Sequence, residues 1–356
     1  MQQVHVDKAK LTEAHVVEHD ARTLAPGAIR LVVESFSVTA NNVTYAVVGD
    51  GFGYWNFFPA PEGKGIVPMW GHARVVESNC PDIAVGERVY GYLPMASHLD
   101  VVPGRITPGG FVDTAAHRQP MNPIYNQYSR LAADPEHDPA REGERMIFGP
   151  LFKTGFLIEY FMRSQGWFGA QRIVMTSASS KTAMGLASVA RRRSPEVRRI
   201  GLTSAGNVAF VEASGLYDKV LSYDAVAGLA RSDSVLVDFA GNPGLLRAIH
   251  EHLGGALKYS CLVGATHVAA RGTGAGDLPG PTPTLFFAPD HAVALFKEVG
   301  PEAAGKQMAQ SWRGFLEDAG NSVAIERHAG LEAARSIFVE MVAGSVDPAR
   351  GIVIEP

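Results

Sequence analysis

Six consecutive residues, Ser177-Ala178-Ser179-Ser180-Lys181-Thr182, set four hydroxyl groups and one ammonium side by side. Donors gathered in so short a run suit a ligand with several anionic oxygens, a diphosphate above all. They can act only if the backbone on either side aims them. Upstream, residues 172–176 (RIVMT) are a short apolar run of the kind that forms a buried strand. Downstream, Met184, Leu186, Ala187, Val189 and Ala190 recur at helical spacing within residues 183–193, and Ser194-Pro195 ends the helix. Residues 199–203 (RIGLT) read as a second strand. The expected unit is βαβ with a right-handed crossover. In it the polar run lies where unpaired N–H groups at the helix start face an anion.

Two absences shape the expected ligand. The G-x-G-x-x-G fingerprint is missing, with Ala178, Ser179, Ser180 and Ala183 in place of its glycines. The acidic residue that holds an NAD ribose at the end of the second strand is missing too. Thr203, Ser204 and Asn207 stand there instead. An uncharged polar pocket with Arg198 and Arg199 close in sequence tolerates a 2′-phosphate, so the residues favour NADP over NAD. The alternative is a polar turn with no ligand. Ser180-Lys181-Thr182 is not a P-loop, because the leading glycine and the G-x-x-x-x-G-K-[ST] spacing are absent. A serine hydrolase is disfavoured, since no G-x-S-x-G elbow occurs.

With 356 residues, 46% of them apolar and 19% charged, the chain has room for two domains and a substantial core. A net charge of −4 argues against nucleic acid or an anionic membrane as the main partner. The basic run Arg191-Arg192-Arg193, with Arg198-Arg199 nearby, reads as a solvated helix end. Cys80 and Cys261 give neither a disulfide framework nor a zinc cluster, which points to a reducing cytoplasm. The opening MQQVHVDKAK is polar and reads as neither a signal peptide nor an anchor. No apolar run approaches the roughly 20 residues that span a bilayer.

Residues 1 to 130 read as β-rich, with strands expected at 28–39, 74–78 and 87–92 and frequent Gly and Pro between them, as in a compact barrel. Residues 133–144 (ADPEHDPAREGE) read as an exposed loop or linker. Helices are expected at 152–162, 207–214, 245–253, 307–319 and 331–342. Strands are expected at 219–223, 234–240, 258–264, 284–288 and 351–355. Strands alternating with helices imply a parallel sheet covered on both faces.

These stretches resemble a known family along nearly the whole chain. VTANNVTY (38–45) followed by GDG (49–51), GHARVVE (71–77) followed by VGERV (85–89), GGFVD (109–113), and LEAA (331–334) with GIV (351–353) are similar to segments of the medium-chain dehydrogenase/reductase superfamily, in its quinone-reductase branch. More specifically, SASSKTA (177–183), GLTSAGN (201–207), VDFAGN (237–242), VGATH (263–267) and YNQY (125–128) resemble the DUF2855 family. The resemblance implies an α/β protein. A GroES-like β-barrel catalytic domain would comprise residues 1–148 with 320–356. A Rossmann nucleotide-binding domain with a doubly wound parallel sheet would comprise 149–319.

For the site, the resemblance implies NADP, with Thr154 near the nicotinamide, Ser177, Ser179, Ser180, Lys181 and Thr182 at the diphosphate, and Thr203, Ser204 and Asn207 around the 2′-phosphate. Relatives often have a Lys where Asn207 stands. Tyr223 would border the adenosine, and Ala240, Gly264 and Phe287 fall at later strand ends. Zinc-dependent relatives use a Cys where Asn41 or Asn42 stands, and a Glu where Ala73 follows His72. One remaining candidate ligand does not make a zinc site, so no metal is expected and His72 reads as structural or pocket-lining. Asn42, Tyr45, Tyr54, Trp55 and the YNQY segment would face the substrate. Tyr54 is the first choice as proton donor, with Tyr128, Tyr125 and Tyr45 as rivals. The aromatic run at 52–58 is either an apolar substrate face or a core cluster. The expected function is NADPH-dependent, metal-independent reduction of a small carbonyl or activated-alkene (enone or quinone-like) substrate. A non-catalytic NADPH-binding or redox-sensing protein is the alternative. The resemblance also implies a homodimer through the edge strand at 284–288.

Overall fold

Alternation of Ile29, Leu31, Val33 and Phe36 drives a ten-residue strand with one face in the core, and the chain builds a β-rich body around it. The computed structural model of the chain describes residues 1–263, 278–320, 322–344 and 346–356. In order, the elements are strands β1 (Gln2–Asp7), β2 (Ala14–Glu18) and β3 (Ile29–Val38), helix α1 (Ala40–Val47), and strands β4 (Lys64–Gly65), β5 (Pro68–Ser78), β6 (Arg88–Pro94), β7 (His98–Val101), β8 (Pro103–Thr107), β9 (Gly110–Asp113) and β10 (Gln127–Arg130). Helix α2 (Glu142–Ser164) leads into β11 (Arg172–Met175), α3 (Lys181–Arg193), β12 (Arg198–Thr203), α4 (Val208–Ala213), β13 (Lys219–Ser222), β14 (Ser234–Asp238), α5 (Pro243–Leu253), β15 (Leu257–Val263) and β16 (Thr284–Phe286). Then come α6 (Ala288–Val299), α7 (Pro301–Ala319), β17 (Ala324–Ala329), α8 (Leu331–Val342) and β18 (Arg350–Glu355). They fall into two units, Met1–Ile147 with Ala324–Pro356, and Phe148–Val323.

In the first unit the main sheet runs β17-β18-β3-β5-β6-β10-β9-β8, with β7 also on β3, and a smaller sheet runs β2-β1-β4. Pairing is antiparallel except between β17 and β18. One apolar core fills it, from Val4 and Phe36 to Phe338 and Ile354.

In the second unit the described strands form a parallel sheet in the order β13-β12-β11-β14-β15-β16. Numbered within the unit, that is 3-2-1-4-5-6, the doubly wound order, which reverses between β11 and β14. Strand β14 is buried along its whole length and β12 from its second residue on, as a sheet covered on both faces requires.

The sequence reading needs correcting at several places. Residues 40–47, inside the stretch read as β-rich, are helical. Residues 142–144 are not an exposed linker, because α2 begins at Glu142 rather than at residue 152 and its first turn is tied down by charge. Arg88 grips Glu142 with two bonds of 2.8 and 3.0 Å, His137 adds a third at 2.9 Å, and Arg145 pairs with Asp134. Helix α6 was not foreseen, and the strand expected at 284–288 stops at Phe286. The triple arginine is the solvated helix end expected at Arg191 and Arg192, and only Arg193 is half-buried. Arg192 bonds Asp318 and Glu317 of α7, and Arg193 pairs at 3.3 Å with Glu159, whose side chain is wholly buried.

Candidate functional site

Strand β11 ends at Met175, and the next residue, Thr176, knots the sheet at its reversal point. Its buried hydroxyl donates to the Asp238 carboxylate at the end of β14 and accepts the N–H groups of Phe239 (2.9 Å) and Ala240 (3.1 Å). Ligands of such sheets bind outside the carboxyl ends of the strands at this reversal. Neither Thr176 nor Asp238 was singled out from sequence, although VDFAGN contains the carboxylate.

Ser177 follows with φ +48°, a left-handed conformation that glycine adopts without cost and serine rarely does. That turn lets the chain double back. The Ser180 N–H bonds the Ser177 carbonyl at 2.8 Å, and the Ala178 N–H bonds the Leu202 carbonyl at 3.0 Å. The Ser180 hydroxyl then caps α3 by accepting the Ala183 N–H at 3.3 Å. Lys181 and Thr182, half-buried, form the first turn of the helix.

Neighbouring strands fix the loop. The Tyr223 hydroxyl accepts the Ser177 N–H at 3.2 Å, Tyr217 donates to the Ala178 carbonyl at 2.8 Å, and the Asn207 amide donates to the Ser179 hydroxyl at 3.2 Å. Ser177, Ser179, Asn207 and Tyr223 are thus brought together by direct bonds. Thr203 closes β12 with its hydroxyl buried and without a hydrogen-bond partner, and Ser204 beside it is exposed. A buried, unsatisfied hydroxyl beside a helix start rich in donors fits a phosphorylated nucleotide, and no carboxylate among these residues opposes a 2′-phosphate. Thr154 lies on α2 directly before Gly155, where a β-carbon would stand 2.5 Å from the Leu186 nitrogen and 3.0 Å from the Thr182 carbonyl. That close approach packs α2 at Gly155 against the first two turns of α3, while the Thr154 hydroxyl donates to the Pro150 carbonyl at 3.4 Å. Gly264 lies outside the described residues.

Arg198 and Arg199 do not serve a 2′-phosphate. They open β12 at the opposite end of the sheet from Thr203, and Arg199 is buried against Asp218 (2.8 Å) and the carbonyls of Leu216 and Val197. In this group of residues only Lys181 carries a positive charge.

The aromatic residues of the first unit form a second cluster. Tyr45, Tyr54, Phe57, Trp70, Tyr92 and Tyr125 lie ring against ring, with Tyr45 and Tyr54 centroids 4.6 Å apart and Tyr92 and Tyr125 4.9 Å apart. The Tyr54 and Tyr125 hydroxyls are 2.9 Å apart, and Tyr45 accepts from the Trp70 indole at 3.1 Å. Burial pushes the Tyr45, Tyr54 and Tyr125 hydroxyls above the usual tyrosine range. Asn42 is committed as a cap of α1, its oxygen accepting the Thr39 N–H at 2.7 Å and its amide donating to the Pro68 carbonyl at 2.8 Å. The Tyr128 hydroxyl, 1% exposed as a residue, accepts from Arg118 (2.9 Å) and donates to the Tyr92 carbonyl (2.7 Å).

His72 is wholly buried on β5, and neither ring nitrogen has a hydrogen-bond partner. Burial pushes its pKa down to about 3, with Arg145, Arg88 and His137 adding to the shift and Glu142 opposing it. Among the described residues, no three His, Cys, Asp or Glu side chains gather in a way that could hold a metal. No described helix is long and apolar enough to cross a membrane.

Comparison with known proteins supplies the fold. The model of a family described as "Protein of unknown function (DUF2855)" matches residues 36–347. No curated protein matches the chain in sequence. Among solved structures, CurA from Vibrio vulnificus in complex with NADPH superposes with a TM-score of 0.61 at 14% identity, over 100% of this chain and 99% of that one. A quinone oxidoreductase of Pseudomonas syringae pv. Tomato DC3000 gives 0.59 at 13% identity, over 100% and 99%. A mutant enoyl thioester reductase from Candida tropicalis gives 0.55 at 12%, over 100% and 99%. The shared architecture is a GroES-like β-barrel with a Rossmann sheet.

Proposed function

The chain belongs to the DUF2855 family, and from its fold and its loop we propose that it is an NADPH-dependent, metal-independent reductase of a carbonyl or activated alkene, enone-like or quinone-like. The observation that carries the reading is the turn at Ser177 feeding the capped start of α3 at the reversal point of the sheet, next to the unsatisfied Thr203 hydroxyl. The structures of similar fold include an NADPH complex, a quinone oxidoreductase and an enoyl thioester reductase, which supports the same chemistry here.

In this reading, Ser179, Ser180, Lys181, Thr182 and the N–H groups of the first turn of α3 bind the diphosphate. Thr203, Ser204 and Asn207 take the adenosine ribose and its 2′-phosphate, Tyr223 borders the adenosine, and Thr154 orients the nicotinamide. The bound dinucleotide supplies a hydride. Tyr54 gives the proton, with Tyr45 and Asn42 supporting the segment that carries it. Tyr128 is spent on Arg118 and serves structure. Asn at positions 41 and 42, Ala73 after His72, and the unpaired His72 ring support chemistry without a metal.

A second reading, an NADPH-binding protein without turnover, draws on the internal bonds from Tyr223 to Ser177 and from Asn207 to Ser179, which already satisfy part of the loop. Among the described strands β16 lies at the edge of the sheet, and a homodimer through this edge is part of the proposal; a monomer by light scattering would discard it. The reducing cytoplasm expected from the cysteine content is proposed with it. The test is a fluorescence titration with NADPH and NADH, followed by a screen of quinones, enones and ketones for NADPH oxidation. Tighter NADPH binding and turnover of at least one class are expected. Binding without turnover favours the second reading, and equal affinity for the two dinucleotides removes the 2′-phosphate assignment.

A further inference from the structure

One buried cation braces both turns of the aromatic cluster. Arg118 is 1% exposed. Its guanidinium donates to the Tyr125 carbonyl (2.9 Å), the Asn126 side chain (3.1 Å), Asp113 (2.8 Å) and Tyr128 (2.9 Å), which fixes the turn Pro123–Asn126. The same group lies 5.4 Å from the Phe57 ring and 5.3 Å from the Phe58 ring, directly after the turn Tyr54–Asn56. Breaking such a buried pair by removing one partner is costly, so its geometry is held firmly. The two turns meet at the 2.9 Å bond between the hydroxyls of Tyr54 and Tyr125.

Resting on the reductase reading above, we propose that Tyr125 is a positioning residue whose hydroxyl, held in place by Arg118 through its backbone, orients and tunes Tyr54 as the proton donor. For Tyr54 to act as the acid, Tyr125 must donate to its oxygen across the 2.9 Å contact, which leaves the Tyr54 proton directed away from the pair. When hydride from NADPH adds to the substrate, an electron pair is left on oxygen or on the α-carbon. The Tyr54 O–H bond breaks, the proton goes to that atom, and NADPH leaves as the oxidised dinucleotide. The tyrosinate that remains accepts the Tyr125 hydrogen bond until water reprotonates it. Burial raises both hydroxyls, but the shared bond works in opposite senses, lowering Tyr54 and raising Tyr125, so Tyr54 ionises first. The other titratable groups facing the pair are Tyr45 and Tyr92, both pushed up by burial.

The test uses the full-length protein and the variants Tyr125→Phe, Tyr54→Phe and the double variant, with NADPH and whichever quinone or enone the parent turns over. Tyr125→Phe should leave NADPH affinity unchanged, lower kcat roughly five- to tenfold, and move the alkaline limb of the kcat profile upward, because tyrosinate loses its donor. Tyr54→Phe should lower kcat by about a hundredfold or more, and the double variant should match it. An unmoved alkaline limb in Tyr125→Phe, or a double variant much slower than Tyr54→Phe, overturns the proposal while leaving the reductase reading intact. Failure of the parent to oxidise NADPH with any probe overturns both. Ultraviolet titration of tyrosinate checks the pair independently of turnover. The ionisation lost in Tyr54→Phe should occur at higher pH in Tyr125→Phe than in the parent, and equal midpoints also overturn the pairing.

Discussion

Replacing His72 with leucine should remove a pH dependence that the wild-type fold carries. The imidazole is 0% exposed, sits between Ser35 and Tyr90 on the neighbouring strands, and has both nitrogens unpaired. Its folded pKa, about 3, lies below the ordinary 6.5 because burial penalises the cation. The folded state therefore favours the neutral ring. This contribution is fully present above pH 6.5 and is lost as pH falls from there toward 3. Each unit inside that window costs about 1.4 kcal/mol, so going from pH 7 to pH 5 should cost wild type about 2 kcal/mol through this residue alone. Glu142, held down to about 2 by Arg88 and His137 against its own burial, loses its contribution only below pH 4.5 and stays outside the window. The depressed histidines His5, His98, His250 and His291 titrate alike in both proteins and cancel in the comparison. Leucine has a similar volume and leaves nothing unpaired, so at pH 7 the variant should be neutral or more stable by up to about 2 kcal/mol. The assay is urea unfolding of both proteins at pH 7 and pH 5, followed by tryptophan fluorescence. Equal losses in the two proteins on acidification would refute the reasoning. A variant weakened by more than about 2 kcal/mol at pH 7 would refute it too, by showing that the imidazole makes a bond.

Other substitutions probe the loop at residues 177–182 and its supports. Lys181→Ala should weaken NADPH by about 1–3 kcal/mol in a fluorescence titration, and no loss would remove Lys181 from the site. Gly155→Ala should cost about 1–3 kcal/mol by thermal unfolding and weaken NADPH as well, since a β-carbon would stand 2.5 Å from the Leu186 nitrogen; an unchanged melting temperature would mean that α2 and α3 are not in this contact. Thr176→Val keeps the shape but removes the hydroxyl that donates to Asp238 and accepts the Phe239 and Ala240 N–H groups, so a loss of about 1–3 kcal/mol is expected in urea.

The parallel-sheet half of the molecule was legible because local pattern and fold agree there. The apolar residues 172–175, the polar run and the helical spacing after it leave little choice of element. The barrel half was less so. Residues 40–47 (ANNVTYAV) carry β-branched and Asn residues that favour strands or turns, and the helix stands because Asn42 caps it and bonds the Pro68 carbonyl across the unit. Glu142 read as solvated because its partner, Arg88, is brought close only by the fold. In α6, Pro289 marks the first turn of a helix although it reads as a breaker. Arg199 was assigned to the ligand from proximity in sequence, yet a parallel strand puts its first residue at the far end from its last. Nor could sequence separate Tyr125 from Tyr128. Three residues apart, one meets Tyr54 and the other is locked under Arg118.

A crystal structure of the protein grown with NADPH tests the central claim most directly. The account predicts the diphosphate over residues 177–182 at the start of α3, with the 2′-phosphate near Ser204 and Asn207. Diphosphate density elsewhere, or an α3 start filled only by the protein's own side chains at saturating NADPH, would contradict it.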